Sequence, residues 1–157
     1  MTHSHDTNAL IGLLCFNTYA LNRAFGRFYQ AAFSETGLTY PKFVILTALE
    51  EAGPLTVSEL SARAAVEPNT LSPLLKKMAS FGLISRQRAE EDERRVVLAL
   101  EDKGRAVLKR AHAVVMEGFA GLGLDADAVA EAVTFLREAR VAVDDADPPK
   151  LDLDGVT

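Results

Sequence analysis

Residues 56–100, TVSELSARAAVEPNTLSPLLKKMASFGLISRQRAEEDERRVVLAL, carry the pattern that decides the fold. Thr56-Val57-Ser58-Glu59 has the form of a capping box, in which the threonine oxygen can take the Glu59 amide while the carboxylate reaches back. A short helix follows, with Val57, Leu60 and Ala64 inward. After a tight turn the spacing predicts another short helix over Asn69–Phe81. Its Leu71, Leu74, Leu75 and Met78 fall at i, i+3, i+4 and i+7. Gly82 stands where a C-terminal cap belongs. The period then changes. Leu83–Arg88 and Arg95–Leu100 read as two short strands, and the charged run Ala89-Glu90-Glu91-Asp92-Glu93-Arg94 lies between them as a hairpin tip. A charged hairpin straight after a helix-turn-helix makes a wing.

On the N-terminal side, Leu10 to about Phe33 reads as one long amphipathic helix through Leu14, Leu21, Phe25, Phe28 and Ala32. Gly37 and Pro41 break it. Pro41 also suits the first turn of a second helix carrying Phe43, Leu46 and Leu49, which Gly53-Pro54 ends. On the C-terminal side the helical period returns at Asp102, with Val107, Leu108, Ala111, Val115 and Phe119, and runs to Gly121 or Gly123. Asp125 can cap a last helix through about Val143, with Val129, Ala132, Val133, Leu136 and Ala139 on its apolar side. Residues 144–157, with Pro148-Pro149 and scattered aspartates, read as a disordered acidic tail.

The expected fold class is therefore mainly α with a small β wing. Residues 41–100 form a winged helix-turn-helix lobe, and residues 9–33 and 102–143 form long helices outside it. The compact middle cannot cover the broad apolar faces of those helices. A two-fold homodimer would bury them and set two recognition helices in successive major grooves, favouring a near-palindromic site on double-stranded DNA.

Composition fits this and excludes other classes. At 157 residues and 48% apolar content, the chain is long enough for a real core and too apolar for a disordered segment. No apolar run approaches the roughly 18 residues of a membrane span. Met1–Asn8 is polar and lacks the pattern of a secretory signal, so a cytoplasmic protein is expected. There is no Gly-rich phosphate loop, nucleophile elbow or zinc-protease signature, so neither an enzyme nor a cofactor is expected. His3 and His5 read as an incidental pair, and His112 as packing or solvent. The net charge of −5 argues mildly against a nucleic-acid binder, but it is uneven. Residues 144–157 hold five Asp and one Lys, so removing their −4 leaves only −1 on the other 143 residues.

With the leucines of the Asn69–Phe81 helix buried, its other face offers Asn69, Thr70, Ser72, Pro73, Lys76 and Lys77. Small polar groups near the N-terminal end suit base edges, and lysines further along suit phosphates. Pro73 sits early in the helix, where its missing N–H should cost little. At the wing tip Arg94 can enter a minor groove while Asp92 holds its guanidinium. Arg86, Arg88 and Arg95 add positive charge beside it.

The stretch Leu71-Ser72-Pro73-Leu74-Leu75-Lys76-Lys77, followed by Asp92-Glu93-Arg94, resembles the MarR family of bacterial regulators over about Leu10–Val143. Within it, Leu14-Cys15-Phe16-Asn17-Thr18-Tyr19 and Gly37-Leu38-Thr39-Tyr40-Pro41 resemble the organic hydroperoxide resistance regulators, the OhrR group. That resemblance implies a repressor whose Cys15 is oxidised by organic hydroperoxides and which then leaves its operator. It also implies that Tyr29 and Tyr40 hydrogen-bond the sensor sulfur across the dimer interface, with Tyr19 near the same pocket. The implied target genes encode a thiol-dependent peroxidase. Some members carry a second, resolving cysteine; this chain has one cysteine in all. It resembles the one-cysteine type, whose sulfenic acid reacts with a small cellular thiol or oxidises further. Leu49 stands where an aromatic residue is frequent, which reads as a packing change.

On physical grounds Cys15 alone reads first as an inert, buried thiol, and only the resemblance reverses that. Attack on peroxide needs the thiolate. Placed on the second turn of the first helix, Cys15 gains little from the helix dipole. No Lys, Arg or His lies within a turn of it, which leaves tyrosine hydroxyls as donors. Tyr19 is one turn on, on the same face. Tyr29 is fourteen residues on, about 21 Å along a straight helix, and can reach only the Cys15 of a second subunit. Leu13, Leu14 and Phe16 would favour bulky organic peroxides. Two other readings stay open: a MarR-type regulator released by a small aromatic acid in the dimer cleft, with Cys15 structural, and a thiol peroxidase.

Overall fold

The capping box forms as its sequence requires. In the computed structural model, which describes residues 12–88 and 95–150, Thr56 Oγ1 accepts the Glu59 N–H at 3.3 Å, and Glu59 Oε2 accepts the Thr56 N–H at 2.7 Å and its hydroxyl at 2.6 Å. Helix α3 (Val57–Ala64) starts there. The Thr56 hydroxyl, then the Thr56 amide, and the charge of Arg95 hold the Glu59 carboxyl below the usual glutamate range. A depressed folded-state pKa gives stability that is present above the unfolded value and lost as pH falls through the folded one. A Glu59→Gln chain is therefore expected to unfold at lower denaturant than the parent at pH 7. The gap should close as pH drops below the ordinary carboxylate range. Urea midpoints taken across that range check this, and a gap independent of pH would count against the carboxylate's role.

α3 ends on Ala65, a left-handed residue at φ 51°, and Ser61 Oγ donates to the Val66 carbonyl at 2.7 Å to close the turn. Helix α4 (Pro68–Ser80) follows, with Pro68 at its first position, where a missing N–H costs nothing. Pro73 falls inside the helix rather than in its first turn, so the Asn69 carbonyl loses its main-chain partner at an exposed site. Gly82 at φ +68° caps the end: its N–H reaches the Ala79 carbonyl at 2.9 Å and that of Leu83 reaches Met78 at 3.1 Å.

The hairpin is β2 (Ile84–Arg88) and β3 (Val96–Leu100), antiparallel, with Ile84 opposite Leu100 and Arg88 opposite Val96. A two-residue strand, β1 (Leu55–Thr56), pairs with the other edge of β3, Leu55 opposite Leu98 and Thr56 opposite Val97. The sheet order is β1-β3-β2. The sequence reading did not include β1. Asp92 and Arg94 of the expected wing tip lie outside the described residues, as do His3, His5 and residues 151–157 of the expected tail.

Four further helices complete the described elements. They are α1 (Leu14–Ala32), α2 (Tyr40–Ala52, with Pro41 in its first turn), α5 (Asp102–Ala120) and α6 (Ala126–Asp144). Asp125 Oδ1 accepts the Ala128 N–H at 2.9 Å and so caps α6 as expected. α1 begins at Leu14 rather than at Leu10. Leu13 is its N-cap and makes no side-chain cap bond, so Cys15 sits in the first turn and not the second.

Contacts divide the chain after Gly118, two residues before the end of α5, into two units. In the first, Ile45, Leu46 and Leu49 of α2 meet Leu60, Leu71, Leu75, Met78, Ile84 and Leu98 in a core with almost no exposure. Leu49 is buried there, in keeping with its reading as a packing residue. α5 joins the core through Leu108, Ala111 and Val115. Arg105 reaches Glu50 of α2 at 2.6 Å and the Leu100 carbonyl at 3.3 Å. In the second unit α6 buries no residue.

Candidate nucleic-acid interface and thiol site

The two faces of α4 separate as the leucine period requires. Leu71, Leu75 and Met78 are buried, while Asn69, Thr70, Ser72, Pro73, Lys76 and Lys77 are all exposed. The helix thus presents small polar groups over its first two turns and two ammoniums over the next. Its start is fixed by the α3–α4 turn and its end by the Gly82 cap. This is a rigid element with an open polar face.

The arginines of the hairpin differ from one another. Arg86 lies directly opposite Leu98 in the register, so both Cβ atoms share the core face of the sheet. Arg86 is half-buried, and its Nε is shielded from solvent without a hydrogen-bond partner among the described residues. Arg88 and Arg95 are exposed, at the far end of the hairpin from Ile84. Alternation alone did not tell which face Arg86 takes; the partner strand does.

Cys15 is exposed, in an apolar neighbourhood of its own helix. Leu14 is 52% exposed, and Leu13, Phe16 and Tyr19 are also open. Tyr19, one turn on, accepts a hydrogen bond from Arg23 Nη1 at 3.0 Å, and the Arg23 guanidinium lies 5.8 Å from the Tyr19 ring centre. The oxygen is thereby an acceptor for arginine, and its own proton remains to be donated. Arg23 was not among the residues singled out from the sequence. The run 15, 19, 23 at i+4 spacing was the signal that could have found it.

Tyr29 and Tyr40 come together within the chain, ring centres 4.5 Å apart, and Tyr29 also packs on Phe33 and Phe43. Burial, then the neighbouring Tyr40, push the Tyr29 phenol above its usual range, so it stays a neutral O–H donor at working pH. The pair lines a cavity of about 200 Å³ together with Val44, Thr47, Glu51 and Arg63. Cys15 of the same chain is not in that lining. His112, read as packing or solvent, is exposed and stands edge-on to Phe43, ring centres 5.1 Å apart.

The family model described as transcriptional regulator SarA/Rot matches residues 27–111, more than half of the chain. The regulator TtmR of Methylorubrum extorquens is 36% identical over 126 residues, covering 79% of this chain and 65% of its own length. MgrA of Staphylococcus aureus is 38% identical over 103 residues, covering 65% of this chain and 70% of its own. The chain thus spans just under two thirds of the first of these relatives. Among solved structures, AbfR of Staphylococcus epidermidis superimposes with a TM-score of 0.74 at 23% identity, over 85% of this chain and 92% of AbfR, a likeness of fold. No helix among the described residues is long and apolar enough to cross a membrane. The chain belongs to the SarA/Rot family of transcriptional regulators, and its fold is that of a winged helix.

Proposed function

We propose that this chain is a homodimeric DNA-binding repressor of the one-cysteine OhrR type, released from its operator when organic hydroperoxides oxidise Cys15. The observation that carries the DNA limb is the exposed face of α4, polar and then cationic, on a helix whose opposite side is buried. AbfR, at 25% identity, has been solved on DNA in its reduced form. α4 enters the major groove, Asn69, Thr70 and Ser72 meet base edges, and Lys76 and Lys77 meet phosphates. Asp92 and Arg94 act at the minor groove, with Arg86 bracing the wing from its core side.

The dimer reading rests on apolar surface. Leu14 and Leu21 on α1, Met116 at 68% on α5, and Val133 and Phe135 on α6 are all exposed in the single chain. Surface of this kind is buried against a partner in a stable dimer.

For sensing, the thiolate of Cys15 attacks the outer peroxide oxygen. The S–O bond forms, the O–O bond breaks, and the alcohol leaves with a proton. The sulfenic acid then condenses with a small cellular thiol to a mixed disulfide and water. Tyr19 donates to the sulfur from one turn away, while Tyr29 and Tyr40 of the second subunit approach it across the seam, with Phe16 as the apolar wall. The added group cannot be packed in the seam, and the two lobes rotate apart.

The test is a DNA mobility assay with cumene hydroperoxide and a small thiol, read beside mass spectrometry of the intact protein. The parent should release DNA as it gains the mass of one mixed disulfide. A Cys15→Ser chain should bind DNA as well as the parent and stay bound under peroxide. Release of DNA by that variant would remove Cys15 from the role.

A second reading is favoured by the tyrosine-lined cavity of about 200 Å³, which includes Arg63. A small aromatic acid held there would release DNA with Cys15 merely structural. Release by phenolic acids in the absence of peroxide separates the two.

A further inference from the structure

The chain holds three tyrosines and no tryptophan. Tyrosine is then the aromatic side chain that most readily gives up a single electron. The three differ in their surroundings. Tyr19 has the Arg23 guanidinium 5.8 Å from its ring centre and accepts a hydrogen bond from Arg23 Nη1 at 3.0 Å. A cation drawn to the electrons of a ring makes one of them harder to remove. Tyr29 of α1 and Tyr40 of α2 stand ring to ring instead, centres 4.5 Å apart and planes at 39°. That is the close end of the range of about 4.5–7 Å for aromatic pairs. Arg63 belongs to the same lining, but its charge is opposed by the Glu51 carboxylate 3.9 Å away. Phe33 and Phe43 pack on Tyr29, whereas Tyr40 is exposed, with room to slide against its neighbour.

We propose that Tyr29 and Tyr40 form a one-electron oxidation site, at which organic peroxyl radicals join the two rings within one chain. Each of two peroxyl radicals takes one hydrogen atom from a phenol and is reduced to the hydroperoxide. The two phenoxyl radicals couple, forming one carbon–carbon bond between ring positions ortho to the oxygens. The hydrogens on those carbons move to the oxygens, so both phenols are restored. In all, the chain loses two hydrogen atoms and two radicals are reduced. Because the rings are already held in contact, coupling is intramolecular and needs no encounter between chains. The new bond staples α1 to α2. This chemistry is separate from the two-electron oxidation of Cys15, and the cross-link does not rest on that reading. One consequence does. With the rings joined, the two phenols no longer turn independently toward the sulfur of a second subunit, so the cross-linked chain should answer hydroperoxide more slowly.

The intact protein and its Cys15→Ser variant are exposed to peroxyl radicals from a water-soluble azo initiator in air. The readouts are the blue fluorescence of joined phenols, denaturing gels and peptide mass spectrometry. Trypsin releases both tyrosines in one peptide, residues 28–42. In both chains that peptide should lose the mass of two hydrogens and carry the fluorescence, while the protein keeps single-chain size on the gel. Tyr19→Phe should form the product as the parent does. Tyr29→Phe and Tyr40→Phe, which keep a ring at each position, should not form it. Product linked through Tyr19, product mainly between chains, or undiminished fluorescence in Tyr29→Phe and Tyr40→Phe would overturn the site. So would hydroxylated tyrosines with no joined peptide. The cross-linked parent, returned to its free thiol by a reductant, is then mixed with cumene hydroperoxide and the rate of thiol loss is followed. A severalfold slower rate than in the untreated parent is expected. An unchanged rate would leave the cross-link standing and overturn its link to Cys15.

Discussion

A chain with glutamine in place of both Lys76 and Lys77 is expected to bind operator DNA about a hundredfold or more weakly at physiological salt, with every sequence affected alike. Both side chains are exposed on α4, opposite the buried Leu71, Leu75 and Met78, so the substitution removes charge and leaves packing intact. In a dimer it removes four charges. Each phosphate neutralised contributes about 0.9 to the slope of log K against log salt, so the slope should flatten by about three to four. Fold stability should change little, as for other surface substitutions, and the loss of Lys77 relieves its repulsion of Lys42. Anisotropy titrations at several salt concentrations give both numbers. An unchanged slope would mean that the phosphates are met elsewhere and that α4 is not the helix in the groove.

The largest expected effect on stability is at Gly104. Inside a helix, Gly→Ala ordinarily gains up to about 1 kcal/mol from propensity. Here a Cβ would lie 2.1 Å from the Leu83 carbonyl oxygen and 2.7 Å from Leu100 Cδ1. The first obstacle is main chain, fixed at one side by the Gly82 cap and bonded to the Glu101 N–H at 3.1 Å. It cannot yield without moving β2 or the start of α5. Gly104→Ala should therefore cost about 3 kcal/mol or more, as overpacking against a rigid wall does, and reverse the sign that propensity predicts. For a chain of this length that is roughly 6–12 °C in Tm. Gly118→Ala offers the contrast. Its Cβ would meet the Phe28 ring at 2.6 Å, the far end of a side chain that can swing aside, so its cost should be the smaller. Calorimetry of the two variants side by side checks the order, and a Gly104→Ala chain as stable as the parent would contradict the packing described.

The helix-turn-helix was legible because its signals are local. Thr56 and Glu59 sit three apart, the leucines of α4 keep helical spacing, and Gly82 closes the helix. β1 was not legible, since two residues after Gly53-Pro54 show no alternation and become a strand only by pairing with β3. The start of α1 was misplaced because Leu13 is no capping residue, so nothing in the residue types marks the boundary. The face taken by Arg86 depends on its register with Leu98, which is a tertiary fact.

Thr56 belongs to two elements at once: it ends β1, opposite Val97 of the hairpin, and it is the N-cap of α3. The hairpin is therefore no independent arm. It is geared to the helix pair, so on the proposed reading the lobe would engage its half-site as a single key with fixed teeth. An operator with one base pair inserted between the bases met by α4 and those met by the hairpin would be refused outright.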